Sequence, residues 1–106
     1  MTTNEKILSF ITDSYFKVSK ENAELAAKLN QEIIKAGFEK TNAFPGFEGQ
    51  VVVSFYHKYI YAEFILYNNQ WEFFLEKDGA EVKNCIYMSF FGCVEKIKEL
   101  AAEYLK

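Results

Sequence analysis

Apolar and polar positions follow two rhythms along this chain. Near the start, Ile7, Leu8, Phe10, Ile11, Tyr15, Phe16 and Val18 recur at spacings that favour one face of a helix. Thr2-Thr3-Asn4-Glu5 fits a capping box, in which a hydroxyl and a carboxylate satisfy two otherwise unpaired N–H groups. Asp13 and Ser14 either break that run or face water. A second helix is predicted from Ser19 as N-cap, with Glu21 and Glu24 near the positive end of its dipole. Leu25, Leu29 and Ile33 repeat every four residues, and Gly37 supplies the stop. The pattern leaves open whether these are one bent helix or a helical pair. At the far end Val94, Ile97, Leu100, Ala101 and Tyr104 form another stripe, with Glu95, Lys96, Lys98, Glu99 and Glu103 off it.

Between the helices the period changes to two. Four apolar and aromatic runs stand at Gln50 to Tyr56, Tyr59 to Tyr67, Gln70 to Lys77 and Glu81 to Met88. The breaks are His57-Lys58, Asn68-Asn69 and Asp78-Gly79-Ala80. Such short breaks, with residues tolerant of positive φ, demand antiparallel hairpins. The preceding segment, Phe38 to Gly49, carries a Pro45-Gly46 turn signal and reads as a Phe-rich loop. Its phenylalanines either plug the end of the core or form an aromatic lip over a groove. The expectation is an α+β fold in one domain, 1–106. An N-terminal helix or helical pair and a C-terminal helix pack on a four-stranded antiparallel meander as a two-layer sandwich, in the order α-α-β-β-β-β-α.

Alternation divides each strand into two faces. Val51, Val53, Phe55, Ile60, Ala62, Phe64, Leu66, Trp71, Phe73, Leu75, Val82, Ile86 and Met88 are expected to meet the helices. The other face would carry Val52, Ser54, Tyr56, Tyr59, Tyr61, Glu63, Ile65, Tyr67, Glu72, Phe74, Glu76, Lys83, Cys85 and Tyr87. A face meant only for water should be rich in Thr, Lys and Ser. A Tyr- and Glu-rich face suits an interaction surface, because tyrosine offers rigid area with a polar tip. Competing explanations are the strand propensity of tyrosine, cover by the first helix, and a homodimer seam.

Composition narrows the partners. The net charge is −3 and all 12 basic residues are lysine. Without arginine or a basic surface, nucleic-acid binding is not expected. Lys, Asn, Ile, Phe and Tyr supply 45 of the 106 residues, so AT-rich codons of a low-GC source also account for the missing arginine. No apolar run approaches the roughly 18 residues of a membrane span, and no secretory leader is visible; a cytoplasmic location is the expectation. The five glycines match neither a P-loop nor GxGxxG, and Cys85 and Cys93 form no metal-binding spacing. Neither cofactor nor metal is expected.

Candidate chemistry is sparse. His57, in a hairpin turn, reads as polar filler. Cys93, near a helix N-terminus where a thiolate is favoured, is the only candidate nucleophile, although a buried inert thiol is the commoner state. Glu63, Glu72 and Glu76 lie on adjacent strands; they suit a solvated face better than acid–base or metal chemistry. The resulting expectation is a small, acidic, non-enzymatic protein-binding module. By class analogy it is an inhibitor of the immunity or phage anti-defence type that occludes a protein partner. Its contacts would be Tyr56, Tyr59, Tyr61, Glu63, Tyr67, Glu72, Phe74, Glu76 and Tyr87, with Phe44 and Phe47 from the loop. The alternative is a binder of small apolar ligands or lipid, with a helix-over-sheet cavity lined by Trp71 and Phe residues.

Overall fold

The Thr2 hydroxyl accepts from the Glu5 N–H at 3.1 Å, and the Glu5 carboxylate accepts from the Thr2 N–H at 2.9 Å. This capping box starts helix α1, Thr3–Ser9. The computed structural model describes residues 1–13, 15–67 and 69–105, apart from the side chains of Ile86 and Tyr87. A 3₁₀ turn, Phe10–Thr12, follows α1 directly. The hydroxyls of Ser9 and Thr12 donate to the carbonyls of Lys6 and Ser9, and Asp13 Oδ1 accepts from the Tyr15 N–H at 3.0 Å. Such side-chain bonds compete with the helical ladder. The helix therefore ends well before Tyr15 and Phe16, which the sequence pattern had placed on its stripe.

Helix α2, Lys20–Ala36, begins with the Ser19 hydroxyl accepting from the Asn22 N–H at 3.0 Å and ends at Gly37 in the left-handed region. The N-terminal part is thus a helical pair. Helix α3, Phe90–Tyr104, is capped by Ser89, whose hydroxyl accepts from the Gly92 N–H at 3.0 Å.

The sheet has five strands, not the expected four. They are β1 (Lys40–Pro45), β2 (Val51–His57), β3 (Ile60–Tyr67), β4 (Gln70–Lys77) and β5 (Ala80–Met88), all antiparallel and in chain order. Strand β1 comes from the segment read as a loop. It is short, lies on the sheet edge, and has one fully buried residue, Ala43, so hydrophobic alternation is almost absent from it. Pairing with β2 satisfies its backbone instead, and Pro45 sits at its end, where no ladder donor is needed. The β2–β3 turn is Lys58-Tyr59, one residue later than the expected His57-Lys58, and the β4–β5 turn is Asp78-Gly79, since Ala80 already pairs with Lys77. Asn68 of the expected Asn68-Asn69 break lies outside the described residues, and Lys58, Asn69, Asp78 and Gly79 have positive φ.

Ile7, Leu29, Ile33 and Ile97 from the helices share one core with Phe38, Phe55, Phe64, Trp71, Phe73 and Leu75. Phe38 is the plug, lying 4.3 Å from the Phe55 ring between centroids. Trp71 packs toward Phe90 of α3 at 6.5 Å between ring centroids. Helix α1 lies along the β1 edge. The Thr3 hydroxyl donates to the Thr41 carbonyl at 3.1 Å and Lys6 Nζ donates to Asn42 Oδ1 at 2.9 Å. Strand β5 departs from simple alternation, because its register slips twice against β4. Between the slips Lys83 pairs with Leu75 and Cys85 with Phe73, so both belong to the helix side, not the outer side expected. Val82, expected inward, sits at a slip and is half-exposed.

Candidate functional site

The antiparallel register arranges the outer face in rows of direct neighbours. One row is Phe44, Val52, Ile65 and Glu72; the next is Asn42, Ser54, Glu63, Phe74 and Asn84; the third is Lys40, Tyr56, Tyr61, Glu76 and Glu81. Tyr67 and Gln70 close one end. Val52 and Ser54 are buried although they point away from the helices, closed over by neighbours on the same face. Tyr61 lies at the centre of an aromatic cluster, 4.6 Å from Tyr56 and 6.3 Å from Phe74 between ring centroids. Its hydroxyl donates to the Glu63 carboxylate. Burial, and then this bond, hold the Tyr61 phenol well above its ordinary value.

Tyr56, Tyr61, Glu63, Tyr67, Glu72, Phe74 and Glu76 therefore share one face, as expected. Three other expected contacts differ. Tyr59 lies in the β2–β3 turn, and its ring meets Tyr104 of α3 edge-on at 6.3 Å, with Lys77 Nζ 5.4 Å from its centroid. It serves the helix side of the sandwich, because a turn residue is released from strand alternation. Phe44 is on the outer face, but as a β1 strand residue opposite Val52. Phe47 lies beyond the sheet end in a 3₁₀ turn and is strongly exposed. The Tyr87 side chain lies outside the described residues.

The structure adds Lys40, Asn42, Asn84 and Glu81 to the face. The Asp78-Gly79 turn already implied Glu81: a two-residue loop pairs Lys77 with Ala80, which puts Glu76 opposite Glu81. Like charges directly opposite on a sheet destabilise it. Among the described residues, four strand carboxylates thus share this face with one strand lysine, Lys40, and the Lys6 ammonium of α1 reaches the same β1 edge at Asn42. Among the described residues, none of the four forms a salt bridge; the three ion pairs present, Lys20–Glu24, Lys96–Glu99 and Lys98–Glu95, are all on helices. The helices are nearly neutral, with six lysines and seven carboxylates, which leaves −2 of the net charge of −3 outside them.

Cys93 is fully buried in the first turn of α3, and burial pushes its thiol up to about 12, overriding the helix terminus. His57 ends β2 rather than standing free in a turn; its ring meets Phe38 edge-on at 5.8 Å, and its Nε2 is buried without a partner. Among the described residues, no three His, Cys, Asp or Glu side chains converge on a metal-sized site. No described helix is long and apolar enough to cross a membrane. The chain matches no protein-family model, no curated protein and no solved structure.

Proposed function

We propose that the chain is a non-enzymatic protein-binding module of the inhibitor type, which covers a basic surface of a protein partner with its outer sheet face. One observation carries this reading: four carboxylates without salt-bridge partners among the described residues surround a Tyr56–Tyr61–Phe74 cluster on the face opposite the helical layer. Uncompensated like charge costs stability, and a cationic partner would relieve it. The half-buried rings supply rigid contact area in the middle, and the carboxylates form the polar rim that sets register. The same charge opposes face-to-face pairing of two copies, so a basic partner fits better than a homodimer. Steric occlusion needs no reacting group on the face.

The test is capture from cells of the source by the immobilised chain, against a Glu72→Lys/Glu76→Lys variant. Both glutamates have solvent-accessible side chains, so the variant is expected to fold, which circular dichroism checks. The expected result is one protein retained by the parent chain, carrying a lysine- or arginine-rich surface, eluted by raised salt and lost from the variant. A retained protein that ignores both the charge reversal and salt would refute the reading. Retention by neither chain would refute it equally.

A further inference from the structure

Among the described residues, five other than glycine hold a left-handed backbone: Lys17, Glu48, Lys58, Asn69 and Asp78. Three are accounted for by two-residue hairpin turns, which require positive φ. The remaining two, Lys17 and Glu48, stand in separate segments, and both line the same cleft. It has a volume of about 310 Å³ and is walled by Tyr15–Lys17 from the α1–α2 connection and Pro45–Glu48 from the β1–β2 connection. The two connections come close beside it: a Cβ built on Gly49 would lie 2.9 Å from the Lys17 carbonyl oxygen. Unfavourable backbone persists where the surroundings hold it, and such positions gather at binding sites.

The rim is aromatic and open. Tyr15 and Phe47 are 80% and 86% exposed, more than any other described aromatic residue. Tyr15 is steadied by an edge-on contact with Phe16 at 5.0 Å. Glu48 is tied to the outer sheet face, because its carboxylate accepts from the Tyr67 hydroxyl at 3.1 Å. Lys17 has no salt bridge among the described residues.

We propose that this cleft receives one aromatic side chain of the protein partner, with an acidic residue beside it in the partner's chain. The inference rests on the reading that the adjoining face binds a protein. A wide-mouthed cleft of this size suits a single inserted ring whose own backbone closes the mouth, whereas a free small molecule would need deeper enclosure. Tyr15, Phe16 and Phe47 offer edge and face contacts to a ring, and such filled pockets dominate interface energetics. The Lys17 ammonium is the complement of the neighbouring acid.

Free probes test the cleft without the partner. The ¹⁵N-labelled full chain is titrated with N-acetyl-tryptophanamide, N-acetyl-aspartyl-tryptophanamide and N-acetyl-aspartyl-leucinamide. Saturable shifts are expected at the amides of Lys17, Gly46 and Glu48 with both tryptophan probes, with dissociation constants on the order of 1 mM. The aspartyl form should bind about two- to fivefold tighter, as for an exposed ion pair. Phe47→Ala should abolish the shifts, and Lys17→Gln should erase the aspartyl advantage. Phe47 is almost fully exposed, so its truncation spares the core. Absent shifts, equal shifts with the leucine probe, or binding indifferent to Phe47→Ala would overturn the inference. A captured partner that needs Glu72 and Glu76 but ignores Phe47→Ala overturns it while sparing the face; the opposite pattern overturns the face and spares the cleft.

Discussion

Gly49→Ala and Gly79→Ala place the same methyl group at nearly the same backbone angle, φ 84° and 82°, in different surroundings. At Gly79, in the β4–β5 turn, nothing lies within 4 Å of the new Cβ. The substitution there costs ~1–2 kcal/mol for the left-handed conformation. A gain of ~0.4–1 kcal/mol from the stiffer unfolded chain offsets part of this, leaving a net loss of about 1 kcal/mol. At Gly49 the same terms apply, but the Cβ meets the Lys17 carbonyl oxygen at 2.9 Å. That atom is backbone and cannot swing aside, so one loop must move, at a further ~1–3 kcal/mol typical of overpacking. The expected total is about 2–4 kcal/mol, a fall of roughly 10–20 °C in Tm for a chain of this size. Urea unfolding followed by the emission of Trp71, the only tryptophan and 1% exposed, measures both variants against the parent. If the losses agree within about 0.5 kcal/mol at equal m-value, the two connections do not hold one another in place.

Two further outcomes follow from buried groups. Cys93 is held near 12 in the folded chain against an ordinary 9.0, so between those values only the unfolded thiol sheds its proton. Stability should be unaffected by this group below about pH 9 and fall as pH rises above it, by up to ~1.4 kcal/mol per pH unit. Urea midpoints at pH 8 to 10.5 should show that extra slope in the parent and not in Cys93→Ala; equal slopes would refute the assignment. Asn30, 1% exposed, donates to Asn4 Oδ1 at 2.6 Å while its own Oδ1 has no partner. Asn4→Ala should cost ~1–3 kcal/mol by leaving the whole amide unpaired, and adding Asn30→Leu should restore most of it. A double variant no more stable than Asn4→Ala would show that the buried amide is not the source of the loss.

The elements legible in the sequence are those whose signals are local. Thr2 and Glu5 announce a helix start that needs no tertiary context, and Asp78-Gly79 sets both a turn and the pairing on either side of it. The inward residues of β2, β3 and β4 alternate cleanly, so the core and most of the outer face could be read off. Strand β1 was hidden because only Ala43 is fully buried; its pairing depends on an edge offered by β2, which no local pattern encodes. Lys83, Cys85 and Val82 were misassigned for a related reason. A single register slip inverts the side every later residue faces, and it leaves no mark in a period-two count. Tyr59 was assigned to a strand although it belongs to a turn, so its ring was free to reach Tyr104. The cleft beside Phe47 was invisible because its two walls are 28 or more positions apart in the chain.

The separation of charge across the sheet has a consequence at distances where no contact exists. With Glu63, Glu72, Glu76 and Glu81 beside Lys40 on one side of the strands and Lys77 and Lys83 on the other, the charges of the sheet are divided unevenly across it, which gives the sheet an electric moment along its normal. In the field of a cationic body, that moment exerts a torque before the surfaces meet. The chain arrives face-on, and fewer collisions are wasted on wrong orientations. The arrangement that weakens the isolated sheet thus shortens the orientational search of each encounter, and this advantage is largest where dissolved ions are few.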